Sequence, residues 1–348
     1  MTSSLRIGLD IGATKVLGAV IGEGGTVIAQ ARQDTQPGPD GILATVLAVL
    51  GLLATALDGT ALDGTVLDGT ALDGTELDGT ALDGTGGNGT PLNGTVFAGT
   101  VFDGTVPMHI GIGVPGIIDS DRGAVRHAVN LGLGGDWFPL AARLADLTGA
   151  TVVVENDLNA ATWGAHVLSG VDDLAYLALG TGLAAGFVLS GSLRRGAHGA
   201  AGEIGHVPVD PAGALCSCGQ RGCLELSASG SALSAAWPPE GEMPPAVALF
   251  AAAAAGNPAA VTARDRYAAR VADAVRMLGL AVDPAAIIIG GGVAHVGEPL
   301  QAAVTAALRA QAAASPFLAA LDLAGRVSLL PGRLPVAAIG AALIGNAG

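Results

Sequence analysis

LRIGLDIGATKVLGAVIGEGGTVIAQARQD, residues 5–34, carries the reading of the fold. Apolar residues at 5, 7, 9 and 11 alternate with the others, the period of a strand with one buried face. Gly12 and Ala13 then turn the chain into Thr14 and Lys15. The remainder predicts two further strands joined by a Gly-rich hairpin at Gly22–Gly25. A carboxylate, Asp10, stands near the end of the first strand, and a cation, Lys15, stands just past the turn. Of the 16 basic residues in the chain, Lys15 alone is lysine. A chain that otherwise uses arginine for every positive charge has kept a compact ammonium there.

Around that stretch, composition narrows the class. At 348 residues the chain is long enough for two domains with their own cores. Half of it is hydrophobic, yet the longest early run without charge, GILATVLAVLGLLATAL between Asp40 and Asp58, has 17 residues. That is the lower edge of a membrane span, without basic flanks and interrupted by Thr45, Gly51 and Thr55, so it predicts a buried helix. MTSSLRIGLD enters a strand without the basic and apolar regions of a secretory signal, and a cytoplasmic location is expected. The net charge of −14 disfavours a nucleic-acid partner. Eight of the 30 acids fall in residues 56–105, where ten consecutive pentads run from ALDGT to VFDGT. A period of five matches neither helix nor strand. The segment either stacks its leucines at repeated Asp-Gly turns or is an acidic low-complexity insertion.

Three later stretches carry chemistry. TVVVENDLNAATW, 151–163, is a β-branched strand ending in Glu155, Asn156 and Asp157 and running into a helix. A carboxylate at the end of a buried strand faces the ligand crevice of α/β folds, although Asp before a helix also serves as a cap. LAYLALGTGLAAGFVLSGSLRRG, 174–196, predicts a hairpin with a Gly-rich turn over Gly180–Gly186. AAIIIGGGVA, 285–294, predicts a buried strand opening into three glycines. An Ala-rich helical segment lies between Ser229 and Val282, and AAIGAALIG near the end predicts a last helix.

The cysteines form a fourth feature. Cys216, Cys218 and Cys223, all that the chain has, lie in HGAAGEIGHVPVDPAGALCSCGQRGCLE, 198–225, with His206 ten positions before the first. Three thiolates and one imidazole make a closed four-ligand set of the kind structural zinc takes. Gly219 and Gly222 let a short knuckle fold back on the ion. Free cysteine also packs as a small hydrophobe, but clustering favours a metal, and the odd count disfavours disulfides.

The run G-E-x-G-H at 202–206 followed by C-x-C-G-x-x-G-C-x-E at 216–225 resembles the ROK family of sugar kinases and sugar-responsive repressors. DIGATK at 10–15 resembles its phosphate signature D-x-G-x-T-K. G-x-G-V-P-G-x-x-D at 111–119, Asn130 in HAVNLGLGGDW, E-N-D-x-N-A at 155–160 and the two later glycine turns follow in family order. The resemblance implies an α/β, two-domain actin-like ATPase and sugar kinase (ribonuclease H-like) fold, with an inserted pentad-repeat segment and a zinc knuckle. A small domain would cover 1–117, interrupted by 56–105 and joined by a C-terminal helix from 333–348 that packs back on it. A large domain, 118–332, would hold the sugar pocket and the knuckle.

The same resemblance implies transfer of the ATP γ-phosphoryl group to a hexose 6-hydroxyl, most simply of glucose, with Asp157 as the catalytic base. N-acetylhexosamines and other hexoses are the alternatives, as is a sugar-binding sensor or regulator without catalysis. Sugar contacts would come from Asn130, Asn156, Asp157, Glu203, His206 and Glu225. ATP with Mg²⁺ would engage Asp10, Gly12, Thr14, Lys15, Gly180, Thr181, Gly182, Gly290, Gly291 and Gly292. Zn²⁺ would sit on His206, Cys216, Cys218 and Cys223, and the protein would form a homodimer. The repressors carry a DNA-binding domain ahead of the kinase-like part, whereas here about five residues precede the first strand. Two departures stand out. Ala184 replaces the third glycine of the second phosphate loop and would be strained if that position needs positive φ. LGLGGDW replaces the commoner L-P-G-W after Asn130.

Overall fold

Three strands open the chain as the sequence predicts: β1 (Leu5–Ile11), β2 (Lys15–Ile21) and β3 (Val27–Asp34), each antiparallel to the one before. In this computed structural model the described residues are 5–59, 108–238, 241–330 and 334–346. The pentad repeats lie almost entirely outside them. After helix α1 (Pro39–Gly59) and strand β4 (Met108–Val114) come a small hairpin, β5 (Ile117–Asp119) with β6 (Ala124–Arg126), then helix α2 (Leu140–Thr148) and strand β7 (Thr151–Asn156). The main sheet has the order β3-β2-β1-β4-β7, with β1, β4 and β7 parallel.

The chain forms two compact units, one of Met1–Asp157 with Ala341–Ile344 and a second of Leu158–Gly340 with Gly345–Gly348. The division falls after Asp157, not at residue 117. The physical reason is β7, which pairs with β4 from His109 to Val114 and so ties residues up to 156 into the first sheet. In this unit α1 turns Ile42, Val46, Val49, Leu50 and Leu53 toward Ile7, Leu9, Val16 and Val20 of the sheet. The three- and four-residue spacing of those positions is that of one helical face. Among the described residues α1 is the one helix long and apolar enough to cross a membrane, and its buried face is occupied by this core.

The second unit begins within helix α3 (Asp157–Ser169) and continues through β8 (Leu174–Leu179), β9 (Leu183–Leu189) and β10 (Ser192–Leu193). After the short helix α4 (Glu225–Ala228), helices α5 (Gly230–Ala236), α6 (Pro245–Ala254) and α7 (Pro258–Val282) supply the Ala-rich segment. Then come β11 (Ala286–Gly290), α8 (Glu298–Ala312), α9 (Pro316–Leu321), β12 (Val327–Leu329) and α10 (Val336–Leu343). The sheet order is β10-β9-β8-β11-β12. It repeats the plan of the first sheet: a three-stranded antiparallel meander whose first strand is followed outward by two parallel neighbours. In both sheets a short glycine-bearing turn joins the first two strands, and these are the two turns assigned to phosphate from the sequence.

Candidate active site and metal centre

In the first unit the sheet places two carboxylate-bearing strand ends on either side of β4. Asp10 of β1 lies opposite Gly113 of β4, and Gly113 lies opposite Glu155 of β7. Gly113 brings no side chain between them. Asp157 follows two residues later as the first residue of α3, close enough for its charge to act on Asp10. Burial first, and then the negative charge of Asp157, push the Asp10 carboxyl up to about 6, while Lys15 pulls in the other direction. Glu155 is buried and its Oε1 accepts the Asn156 amide at 3.0 Å.

The turn between β1 and β2 is held from within. The Gly12 amide donates to the Lys15 carbonyl at 2.9 Å, so it closes the turn and does not point outward as a free donor. Thr35 Oγ1 donates to the Gly12 carbonyl at 2.7 Å, and the Thr35 amide donates to the Thr14 carbonyl at 3.0 Å. Thr14 and Lys15 are left exposed at the tip. Thr35 was not legible in the sequence, because its partner lies 23 residues away. Asn130 sits in a 3₁₀ turn, Val129–Leu131, exposed and without a side-chain hydrogen bond among the described residues.

The raised Asp10 pKa has a stability consequence. Between the ordinary carboxylate range and about pH 6 the folded protein holds a proton that the unfolded chain has released. Stability therefore falls as pH rises through that window. Asp10→Asn, which carries no charge, is expected to melt several degrees above the unaltered protein at pH 8 in metal-free buffer, with the gap closing toward pH 4. A variant that melts lower at pH 8 would mean that ionised Asp10 is stabilised in the fold.

In the second unit β8 and β11 are parallel neighbours, with Ala178 opposite Gly290. Their carboxyl ends therefore bring the turns Gly180–Gly182 and Gly290–Gly292 side by side. A Cβ on Gly291, whose φ is +82°, would stand 2.6 Å from the Leu179 carbonyl oxygen. The first turn is shorter than the sequence suggests. Leu183 already begins β9, and Ala184 pairs with Ala178 in the ladder. The residues with positive φ do not include Ala184, so alanine there carries no left-handed strain.

The motif G-E-x-G-H has a structural reason for its glycines. The Ala185 amide donates to the Gly202 carbonyl at 2.8 Å, and a side chain at Gly202 or Gly205 would run into the backbone of Ala185 or Leu183. The segment can lie directly on β9, and it presents Glu203, exposed, and His206, half-buried. His206 Nε2 lies 3.9 Å from Glu203 Oε2. Its Nδ1 faces the other way, 3.8 Å from Cys216 Sγ.

The cysteines complete that side. Backbone bonds from Cys216 N to Gln220 O at 2.7 Å and from Gly219 N to Cys216 O at 2.9 Å fold a small knuckle, closed by a bridge between Pro208 and Cys223. Cys218 Sγ and Cys223 Sγ are 3.6 Å apart, and the four donor atoms of His206, Cys216, Cys218 and Cys223 all lie within 4.8 Å of one another. A tetrahedron built on Zn–S bonds of about 2.3 Å has edges of about 3.8 Å, so the donor set fits such an ion. Gln220, which sequence reasoning did not single out, donates through Nε2 to the His206 carbonyl at 3.0 Å and to Cys218 Sγ at 3.5 Å. Hydrogen bonds from the Gln220 amide and then its side chain hold the Cys218 thiol down at about 6. Burial and the neighbouring sulfurs push Cys223 up to about 12.

With that geometry in hand, likeness to known proteins is informative. The ROK family profile matches residues 97–326. A glucokinase of Halalkalibacterium halodurans is 37% identical over 213 residues, which is 55% of this chain and 63% of that protein. An N-acetylmannosamine kinase of Citrobacter koseri is 37% identical over 188 residues, 53% of this chain and 64% of that protein. The matched region thus spans just under two thirds of each. The crystal structure of a ROK family glucokinase from Streptomyces griseus in complex with glucose and AMPPNP has a TM-score of 0.67 to this fold at 27% identity, covering 99% of this chain and 100% of that one. The chain has the α/β sugar-kinase fold.

Proposed function

The chain belongs to the ROK family, and we propose that it is an ATP-dependent sugar kinase that phosphorylates a hexose, glucose in the first instance, at its 6-hydroxyl. The observation that carries this reading is the placement of Asp10 and Asp157 at strand ends on either side of β4, with Lys15 acting on the Asp10 carboxyl. Support comes from the overall likeness to a glucokinase that binds glucose and a nucleotide analogue.

In this mechanism the sugar hydroxyl oxygen forms a bond to the γ-phosphorus of ATP. The bond from that phosphorus to the β–γ bridging oxygen breaks, and the hydroxyl proton passes to Asp157. Positioning and charge stabilisation dominate phosphoryl transfer, so the protein's task is orientation more than covalent chemistry. Asp157 orients the hydroxyl and takes its proton. Lys15 and Thr14, exposed at the turn tip, meet the phosphates. Asp10, whose carboxylate is crowded by Asp157, gains most from a bound cation and would hold Mg²⁺, directly or through water. When bound, Mg²⁺ supplies positive charge against the transferring phosphates. In the second unit, Thr181 and the glycine turns are assigned to the nucleotide, Glu203 and Glu225 accept from sugar hydroxyls, and His206, whose Nδ1 faces the cysteines, donates to one through Nε2. In the first unit, Asn130 and Asn156 are assigned to the sugar. His206, Cys216, Cys218 and Cys223 would hold a structural Zn²⁺.

A coupled ADP-release assay over glucose, mannose, fructose, N-acetylglucosamine and N-acetylmannosamine tests the reading. Sugar-dependent ADP formation, highest with glucose, is expected. A preference for N-acetylmannosamine would retain the kinase and change its substrate. Sugar binding by calorimetry without turnover on any of them would replace the kinase with a sensor.

A further inference from the structure

Glu225 is assigned above to sugar hydroxyls, yet one of its oxygens is already engaged. Glu225 Oε2 accepts the Leu183 amide at 3.0 Å, across 42 residues of sequence. The carboxylate lies flat against Gly182, where a Cβ would stand 2.6 Å from the same oxygen. Leu183 is the first residue of β9 and Gly182 the last of the turn assigned to nucleotide phosphates. The next residues of the same segment grip the rest of that turn. The Gly230 amide donates to the Gly180 carbonyl at 2.7 Å, and the Ser231 amide to the Thr181 carbonyl at 3.3 Å. Buried Ser229 caps α5 by accepting the Ala232 amide at 3.1 Å, which fixes the direction in which those amides point. One continuous stretch from Cys223 to Ser231 therefore carries a metal ligand at its start and the clamp of the phosphate turn at its end.

The geometry points to Glu225 as a positioning residue for the nucleotide turn, resting on the kinase reading above. Oε2 holds the amide at the exit of the Gly180–Gly182 turn, while Oε1 and the second lone pair of Oε2 are left for a sugar hydroxyl. Backbone amides that receive phosphate charge must be oriented before the ligand arrives, and a carboxylate is a strong acceptor for this purpose. The nucleotide turn then depends on Glu225 even with no sugar present.

The test is calorimetric titration with AMPPNP and Mg²⁺ in the absence of sugar, on the unaltered protein, Glu225→Ala, Glu225→Gln and Gly182→Ala. Loss of a hydrogen bond to a charged group predicts AMPPNP binding roughly tenfold weaker in Glu225→Ala. Glu225→Gln keeps a carbonyl acceptor for the Leu183 amide, so its AMPPNP affinity is expected within about threefold of the unaltered protein, while its sugar KM rises. Gly182→Ala, whose new methyl would displace the carboxylate, is expected to weaken AMPPNP with zinc content unchanged. Unaltered AMPPNP affinity in both Glu225→Ala and Gly182→Ala, with sugar affinity lost in Glu225→Ala, would confine Glu225 to sugar and overturn the proposal. An unaltered protein that binds no AMPPNP and releases no ADP would overturn the kinase reading itself, a separate and recognisable result.

Discussion

Replacing Asp157 by alanine is expected to lower kcat for sugar phosphorylation by about 10²- to 10⁴-fold, the span typical of a lost general base. The argument begins with placement. Asp157 opens α3 directly after β7, and its backbone is fixed by the β4–β7 ladder, which runs to Asn156. A carboxylate held at the end of a buried strand has little freedom to wander, as a base must not if the hydroxyl is to attack in line. Its neighbour Asp10 is not expected to substitute, because its carboxylate lies on the other side of β4 and is assigned to the cation. Sugar and AMPPNP affinities are expected to change far less than kcat, since the base acts on the proton in flight. A variant retaining turnover within threefold would remove Asp157 from the mechanism. A second readout follows from electrostatics. Without the Asp157 charge, Asp10 loses one of its two raising influences, so the pH dependence of melting attributed to Asp10 shifts to lower pH in Asp157→Ala.

Removing the metal is the other large effect. Protein purified without added metal is expected to hold about one zinc per chain, and Cys223→Ser to lose it. Loss of a structural metal belongs to the few changes that cost about 4 kcal/mol or more. For a unit of this size that lowers Tm by roughly 8–16 °C. The physical reason is that the knuckle has few apolar contacts of its own: Cys218, Gly219, Gln220 and Arg221 are all exposed, and the loop is closed by a handful of backbone bonds. Affinity for the ion is expected to fall as pH falls, because every thiol must shed its proton to bind. Protein that contains no zinc, shows three titratable thiols while folded and melts unchanged as Cys223→Ser would end the metal proposal. Since Cys223 stands two residues before Glu225, metal loss is also expected to weaken AMPPNP binding.

Much of this was open to the sequence, and the particular residues show why. Alternation over 5–11, the turn at Gly12, the β-branched run before Glu155 and the crowding of three cysteines near His206 are local patterns, set by strand periodicity, glycine chemistry and ligand type. They marked β1, β2 and β3, β7, the β8–β9 hairpin and β11, and they named the candidate phosphate turns, the candidate base and the donor set. What depended on the tertiary structure was every relation between distant segments. Sheet order alone put Asp10 and Glu155 on the two sides of Gly113. The β4–β7 ladder moved the division of units from 117 to 157. The strain expected at Ala184 vanished because the ladder begins earlier than the glycine pattern suggests. Thr35 on the Gly12 carbonyl, Gln220 over Cys218 and Glu225 on the Leu183 amide answer to partners that local sequence does not name. Local propensity chooses the elements, but a buried carbonyl, a crowded carboxylate or a metal-facing sulfur acquires its partner when packing brings another part of the chain within hydrogen-bond reach.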